Sequence, residues 1–216
     1  MKTIEIARTT LNLPILSHQF GSSGKKLLFL ASVHGDEIEG TALARNLLSL
    51  FLKEFNYKVQ VHLIPEFNPE GILLKTRMNS NGVDLNRNLP TLDWSATFTT
   101  PRYFPGPYPL SEIENRALTQ VIEKEKYDFI ISLHSWKPLI NVNGPSQTQA
   151  ELLNKWTGYV IEQDMGYPTP GSLGTYSGKE RNIPTITYEI ERGLSLDLVI
   201  ANHTQPMLEL IKSFEL

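Results

Sequence analysis

Apolar and polar positions alternate along the chain with two different periods. Lys26-Leu27-Leu28-Phe29-Leu30-Ala31 is a short apolar run of strand length, and Ile38, Ala42, Leu43, Leu47, Leu48, Leu50 and Phe51 then recur at helical spacing, predicting a helix that ends near Phe55. Residues 57–65 alternate with period 2 and read as a second strand; strand, crossover helix and strand predict a right-handed parallel unit. Upstream, residues 3–8 and 14–20 fit edge strands, and Gly21-Ser22-Ser23-Gly24 is a turn by composition. Ser111-Glu112-Ile113-Glu114 has the form of a capping box and predicts a helix to about Lys126, which feeds a buried strand at 127–134. Ser146-Gln147-Thr148-Gln149 repeats the capping signal for a helix to about Asp164. A loop rich in Gly, Pro and Tyr leads to a strand at 184–190, and a closing helical stretch covers 196–214, with Pro206 expected to kink or split it.

Strands and helices alternate through most of the chain, the signature of an α/β fold: a mixed, mostly parallel central sheet flanked by helices. No repeat, low-complexity tract or linker divides it, so residues 1–216 are expected to form a single domain. The stretch from Glu66 to Pro109 has little periodicity, and a segment of that length inside a compact domain is usually functional or disordered. The formal net charge of −3 carries no clustered basic excess and argues against nucleic acid as a partner. The N-terminal residues lack the apolar core of a signal peptide and no apolar run is long enough for a bilayer, so no membrane partner and a cytoplasmic location are expected. There is no cysteine, which excludes a closed structural Cys site for zinc.

Ser32-Val33-His34-Gly35-Asp36-Glu37 lies where the first apolar strand stops and its helix begins. In open α/β sheets, ligands bind in the crevice beyond the strands' carboxyl ends. His34 and Glu37 pair a nitrogen with a carboxylate oxygen donor on one short turn, a combination well suited to zinc. His134 ends its own strand and can face the same crevice, giving a His, Glu, His set for one Zn²⁺ with one tetrahedral position open for water. Open sites are catalytic rather than structural. Taken one at a time, each residue also fits a plain reading as a strand-end histidine or an acid stabilised at a helix start. His18, His62 and His203 have no ligand partner at useful spacing and read as structural or surface residues.

His34-Gly35-Asp36-Glu37, Arg77, Asp84-Leu85-Asn86-Arg87-Asn88, Leu133-His134-Ser135 and Thr187-Tyr188-Glu189-Ile190 occur in the order found in the zinc metallocarboxypeptidase family, which this chain resembles from residue 34 to about 193. The resemblance implies a metallopeptidase that hydrolyses an amide beside a free carboxylate. It implies Glu189 as general base; strand parity makes Glu191 the rival. It implies Arg77 at the oxyanion, Asn86 and Arg87 on a substrate carboxylate, and Asp84 hydrogen-bonded to the first zinc histidine. A loop tyrosine is expected over the substrate, Tyr167 in preference to Tyr176. Asn68-Pro69-Glu70-Gly71, residues 82–88 and residues 166–174 look most like the branch that cuts the γ-D-glutamyl to meso-diaminopimelate bond of wall-derived peptides during recycling. The partner implied is thus a small peptide with a free C-terminal carboxylate. Three other readings remain open: a deacylase of N-acyl amino acids, a peptidase that trims glutamate tails, and a catalytically silent peptide-binding domain. Gly171-Ser172 is followed by Leu173 and Gly174, with no charged residue to select Lys or Arg side chains.

Overall fold

The computed structural model describes residues 1–215. Strands β1 (Lys2–Arg8), β2 (Pro14–Phe20) and β3 (Lys26–Ala31) lead to helix α1 (Ile38–Lys53), followed by β4 (Gln60–Ile64), α2 (Pro69–Leu74) and α3 (Ile113–Glu125). The second half holds β5 (Phe129–Trp136), β6 (Leu139–Asn143), α4 (Gln147–Thr157), β7 (Val160–Glu162), β8 (Thr185–Glu191) and α5 (Leu196–Lys212). One eight-stranded sheet runs in the order β1-β2-β4-β3-β5-β8-β6-β7. Its centre, β4-β3-β5-β8, is parallel, whereas β1, β2 and β6 enter antiparallel to their inner neighbours.

Both faces of the central strands are covered, which is why β3 and β5 read as continuous apolar runs rather than alternating ones. Leu27, Phe29 and Ala31 face one core with Leu43, Leu47 and Phe51 of α1 and with Met207, Leu210 and Ile211 of α5. Leu28 and Leu30 face the other, with Phe67, Leu118, Ile122 and Tyr176. After β3 the chain crosses to β4 on one side and later returns to β5 on the other. That reversal creates a switch point between β3 and β5, where side chains at the strand ends are not covered by a crossover.

Several local expectations are corrected. The helix expected to reach Asp164 ends at Thr157, because Gly158 adopts φ +70° and terminates it, and β7 follows. Ser111 is not the cap of α3: Glu112 holds that position without a side-chain capping bond, and the Ser111 hydroxyl donates to Glu112 Oε1 at 2.7 Å. Pro206 lies inside α5 without splitting it. The poorly periodic stretch contains α2, which Asn68 caps by accepting from Gly71 N at 2.8 Å.

Candidate metal centre and active site

The turn after β3 is built so that His34 enters the switch point. Ser32 takes φ +59° and its hydroxyl donates to Pro65 O at 2.9 Å, turning the chain out of the sheet. Gly35 then packs directly on the backbone of α2: a Cβ there would lie 1.9 Å from Gly71 C. Only glycine permits that approach, and through it α2 sets the position of Arg77. Glu37 is the N-cap residue of α1, where a negative charge is favoured by the helix dipole.

His34, Glu37 and His134 are all buried, and their donor atoms lie within 4.8 Å of one another. His34 Nδ1 is 2.8 Å from Glu37 Oε1, His134 Nδ1 is 2.8 Å from Glu37 Oε2, and the two Nδ1 atoms are 3.1 Å apart. The outer nitrogens are both engaged. His34 Nε2 donates to Asp84 Oδ1 at 3.1 Å, and His134 Nε2 lies 2.9 Å from the Ser132 hydroxyl. The Asp84 bond puts the ring proton of His34 on Nε2 and turns the Nδ1 lone pair inward. Two imidazole nitrogens and a carboxylate converge as electron-pair donors on one buried space, and their chemistry is that of a zinc ligand set. The residues present therefore fit the metal.

Arg77 closes one side of this centre. Its Nε donates to Asp84 Oδ2 at 3.0 Å and one terminal nitrogen donates to Glu37 Oε1 at 3.2 Å. Burial alone would raise the Asp84 pKa, but the Arg77 and His34 charges and the His34 hydrogen bond hold it well below the usual carboxylate range. Glu37 is likewise lowered, the charges of His34 and His134 outweighing its desolvation. Glu189 shows the opposite behaviour. Burial pushes it up to about 7, against the pull of His134, and its Oε2 has no hydrogen-bond partner. Register places Glu189 directly beside His134. Two carboxylates near one centre are thus driven apart in proton affinity.

A cleft of about 730 Å³ opens over these groups. Asn86, Arg87 and Tyr167 also line it. Asn86 Oδ1 accepts from Leu173 N at 2.9 Å, which leaves its amide Nδ2 for the cleft. Tyr167 stands edge-on to Trp136, with ring centroids 5.7 Å apart. Tyr176 is fully buried, bonded to Glu123 and covered by Arg181, and does not reach the cleft. Glu191 is exposed at the end of β8. His62 and His203 are buried away from the centre on tyrosine hydroxyls, while the Nδ1 of His18 pairs with Thr3 at 3.0 Å.

The structure adds residues that sequence reasoning did not place. Tyr103 lies beneath the guanidinium groups of Arg77 and Arg87, at 5.4 and 5.5 Å from its ring centroid. Ser135 N donates to Glu37 Oε2 at 3.2 Å, and the Ser135 hydroxyl donates to buried Glu39 at 2.6 Å. Arg192 pairs with Asp36 at 2.7 Å on the cleft wall. Strand parity two residues before His134 was a usable signal for Ser132, and the aromatic loop around Tyr103 was one for a cleft wall; nothing local marked the pairing of Arg192 with Asp36.

A family model described as zinc carboxypeptidase matches residues 1–186. Murein peptide amidase A of Vibrio campbellii is 34% identical over 203 residues, covering 88% of this chain and 79% of that protein. The Escherichia coli K12 protein of the same name is 32% identical over 178 residues, covering 75% and 69% respectively. The crystal structure of murein-tripeptide amidase from Escherichia coli O157 superposes with a TM-score of 0.82 at 27% identity, over 97% of this chain and 91% of that one. Bovine thrombin-activatable fibrinolysis inhibitor has a TM-score of 0.82 at 17% identity, over 99% of this chain and 88% of that one, a likeness of fold.

Proposed function

The chain belongs to the zinc carboxypeptidase family and is a hydrolytic enzyme, and from that premise we propose that it cleaves the γ-D-glutamyl to meso-diaminopimelate bond of murein tripeptide. One observation carries the reading: a His34, Glu37, His134 donor set shares its cleft with a buried Glu189 whose Oε2 is unpartnered. The relatives that match most of the chain carry the name murein peptide amidase A, which supports a murein peptide as substrate. The reading has residues 1–216 acting as one catalytic domain in the cytoplasm; among the described residues no helix is long and apolar enough to cross a membrane.

His34, Glu37 and His134 would hold one zinc ion, which when bound polarises the scissile carbonyl and acidifies water. Glu189 accepts the proton of the attacking water at its carboxylate and returns it to the leaving nitrogen; its raised proton affinity suits both steps. Arg77, braced by Asp84, donates to the oxygen on which negative charge develops. Asn86 Nδ2 and the Arg87 guanidinium take the free carboxylate of the released residue, and Tyr167 covers it from the opposite loop.

The test is release of diaminopimelate from L-Ala-γ-D-Glu-meso-diaminopimelate by zinc-loaded protein, with Glu189→Gln alongside. Release by wild type alone is expected. An intact, metal-loaded protein that leaves this peptide whole but deacylates N-acyl amino acids would move the assignment to that chemistry.

A further inference from the structure

Arg192 follows directly on β8 and has no part in the chemistry above, yet the fold fixes it at several points. Its backbone N donates to Trp136 O at 3.0 Å, and the next residue, Gly193, donates its N to buried Glu39 Oε1 at 2.7 Å. One terminal guanidinium nitrogen donates to both Asp36 O and Asp36 Oδ2, at 3.0 and 2.7 Å. Among the described residues no acceptor engages Nε or the other terminal nitrogen. Arg192 lines the cleft with its side chain 39% exposed, so those remaining donors are open to a bound molecule. A guanidinium braced through one nitrogen and unused at the others is a prepared contact for an anion.

Contacts also order the arginines along the cleft. Arg77, Arg87 and Arg102 gather about the ring of Tyr103, whereas Arg192 is set apart on Asp36. Arg77 joins the two groups by donating to Glu37, the residue after Asp36. In the reading above, the carboxylate of the released residue lies on Arg87 and the developing negative charge on Arg77. Arg192 then stands on the other side of the scissile bond, toward the acyl group. The electrostatics agree: the Arg192 charge acts on Glu189, and the Arg87 charge acts on Tyr167.

Acyl groups of different chemistry meet Arg192 differently. An apolar one strips water from the guanidinium and offers it no acceptor. A cationic one is repelled. A carboxylate on a short methylene chain beyond the scissile carbonyl gains a charge-assisted contact with a side chain whose position is already set, so little ordering cost opposes it. Linkage through a side-chain carboxyl, as in a γ-glutamyl residue, leaves such a carboxylate free.

We propose that Arg192, braced on Asp36, is a specificity-determining residue on the acyl side of the cleft and selects acyl groups that carry a free carboxylate of their own. The inference rests on the reading above that the released residue's carboxylate lies at Asn86 and Arg87; it adds the residue that recognises the other half of the substrate.

Two pairs of compounds test it, the members of each pair differing in one charge. The first is L-Ala-γ-D-Glu-meso-diaminopimelate against the same peptide with the glutamyl α-carboxylate converted to a carboxamide. The second is meso-diaminopimelate acylated at its L-centre with glutaryl or with pentanoyl, which needs no glutamyl residue. With zinc-loaded wild type the carboxylate form of each pair has the higher kcat/KM, by about 10–100-fold, and added salt narrows the ratio by screening. Arg192→Gln brings the members of each pair to within about threefold of one another. Asp36→Asn, which removes the brace, lowers the ratio in part and serves if Arg192→Gln does not fold. Calorimetry with zinc-loaded Glu189→Gln gives the same order of binding without turnover. Failure of both wild type and Glu189→Gln to discriminate within either pair overturns the inference. So does a wild-type ratio kept by folded Arg192→Gln, or by Asp36→Asn where that variant alone folds. A glutaryl preference that Arg192→Gln loses, with the γ-D-glutamyl peptide left whole, overturns the amidase reading and leaves the role of Arg192 standing.

Discussion

Glu189 and Asp84 are both buried carboxylates at one centre, and their surroundings give them opposite tasks. Asp84 is ion-paired and hydrogen-bonded on both oxygens, while Glu189 keeps one oxygen free. Glu189→Gln preserves shape and removes proton uptake; kcat is expected to fall by about 10²–10⁴-fold with zinc content unchanged by metal analysis. Asp84→Asn retains an acceptor for His34 but weakens its hold on the imidazole and on Arg77. Zinc affinity is expected to drop by about 10–100-fold, read by competition with a chromophoric chelator. At this scale the sequence already carried much of the site: His34 and Glu37 were legible in the turn between an apolar strand and its helix, and His134 at the polar end of a buried apolar run, although β5 continues two residues past it to Trp136. The preference for Glu189 over Glu191 and for Tyr167 over Tyr176 came from the resemblance and not from local pattern, since the two glutamates share strand parity and the two tyrosines share one loop; the fold separates them by what it packs over each.

Among the elements, α2 and the loop after it act as a bracket for Arg77, and the contact of Gly35 with Gly71 seats that bracket. Gly35→Ala drives a methyl group into backbone and is expected to cost about 2–4 kcal/mol, measured by urea unfolding, with loss of activity as Arg77 shifts. Helix α3 holds the same loop from the other side. Asn79 Nδ2 donates to Glu112 at 2.7 Å and to Glu114 at 3.3 Å, and burial pushes Glu114 up to about 7. A raised carboxyl pKa stabilises the fold below the unfolded value near 4.5, and that contribution is lost as pH rises through about 7. Glu114→Gln copies the protonated form and is expected to raise Tm at pH 8 but not at pH 5. Buried His62 and His203 act in the other direction. Desolvation lowers both to about 4, so their neutral forms are favoured above 6.5 and stability declines as pH falls through 6.5 toward 4. A Tm profile with losses on both limbs is the expected outcome.

For the whole molecule, the proposed metal centre would tie the ends of β3 and β5 to α1 and so couple zinc binding to the stability of the sheet's centre. Removal with a chelator is expected to abolish hydrolysis and lower Tm, and added zinc to restore both, with the size of the shift following zinc concentration relative to Kd. The sequence by itself determined the α/β class, the central parallel strands and the His34, Glu37, His134 grouping, because strand-length apolar runs, helical spacing and strand-end chemistry are local properties. Tertiary structure decided the rest. Five residues with two asparagines do not announce a strand; β6 exists because β8 offers it an open edge, and only that pairing brings Asn141 and Asn143 beneath Glu189. Arg77, Asp84, Asn86, Arg87 and Tyr103 come from a stretch with little period of its own. Their common cleft arises from hydrogen bonds and close packing between segments far apart in the chain, which no local pattern encodes.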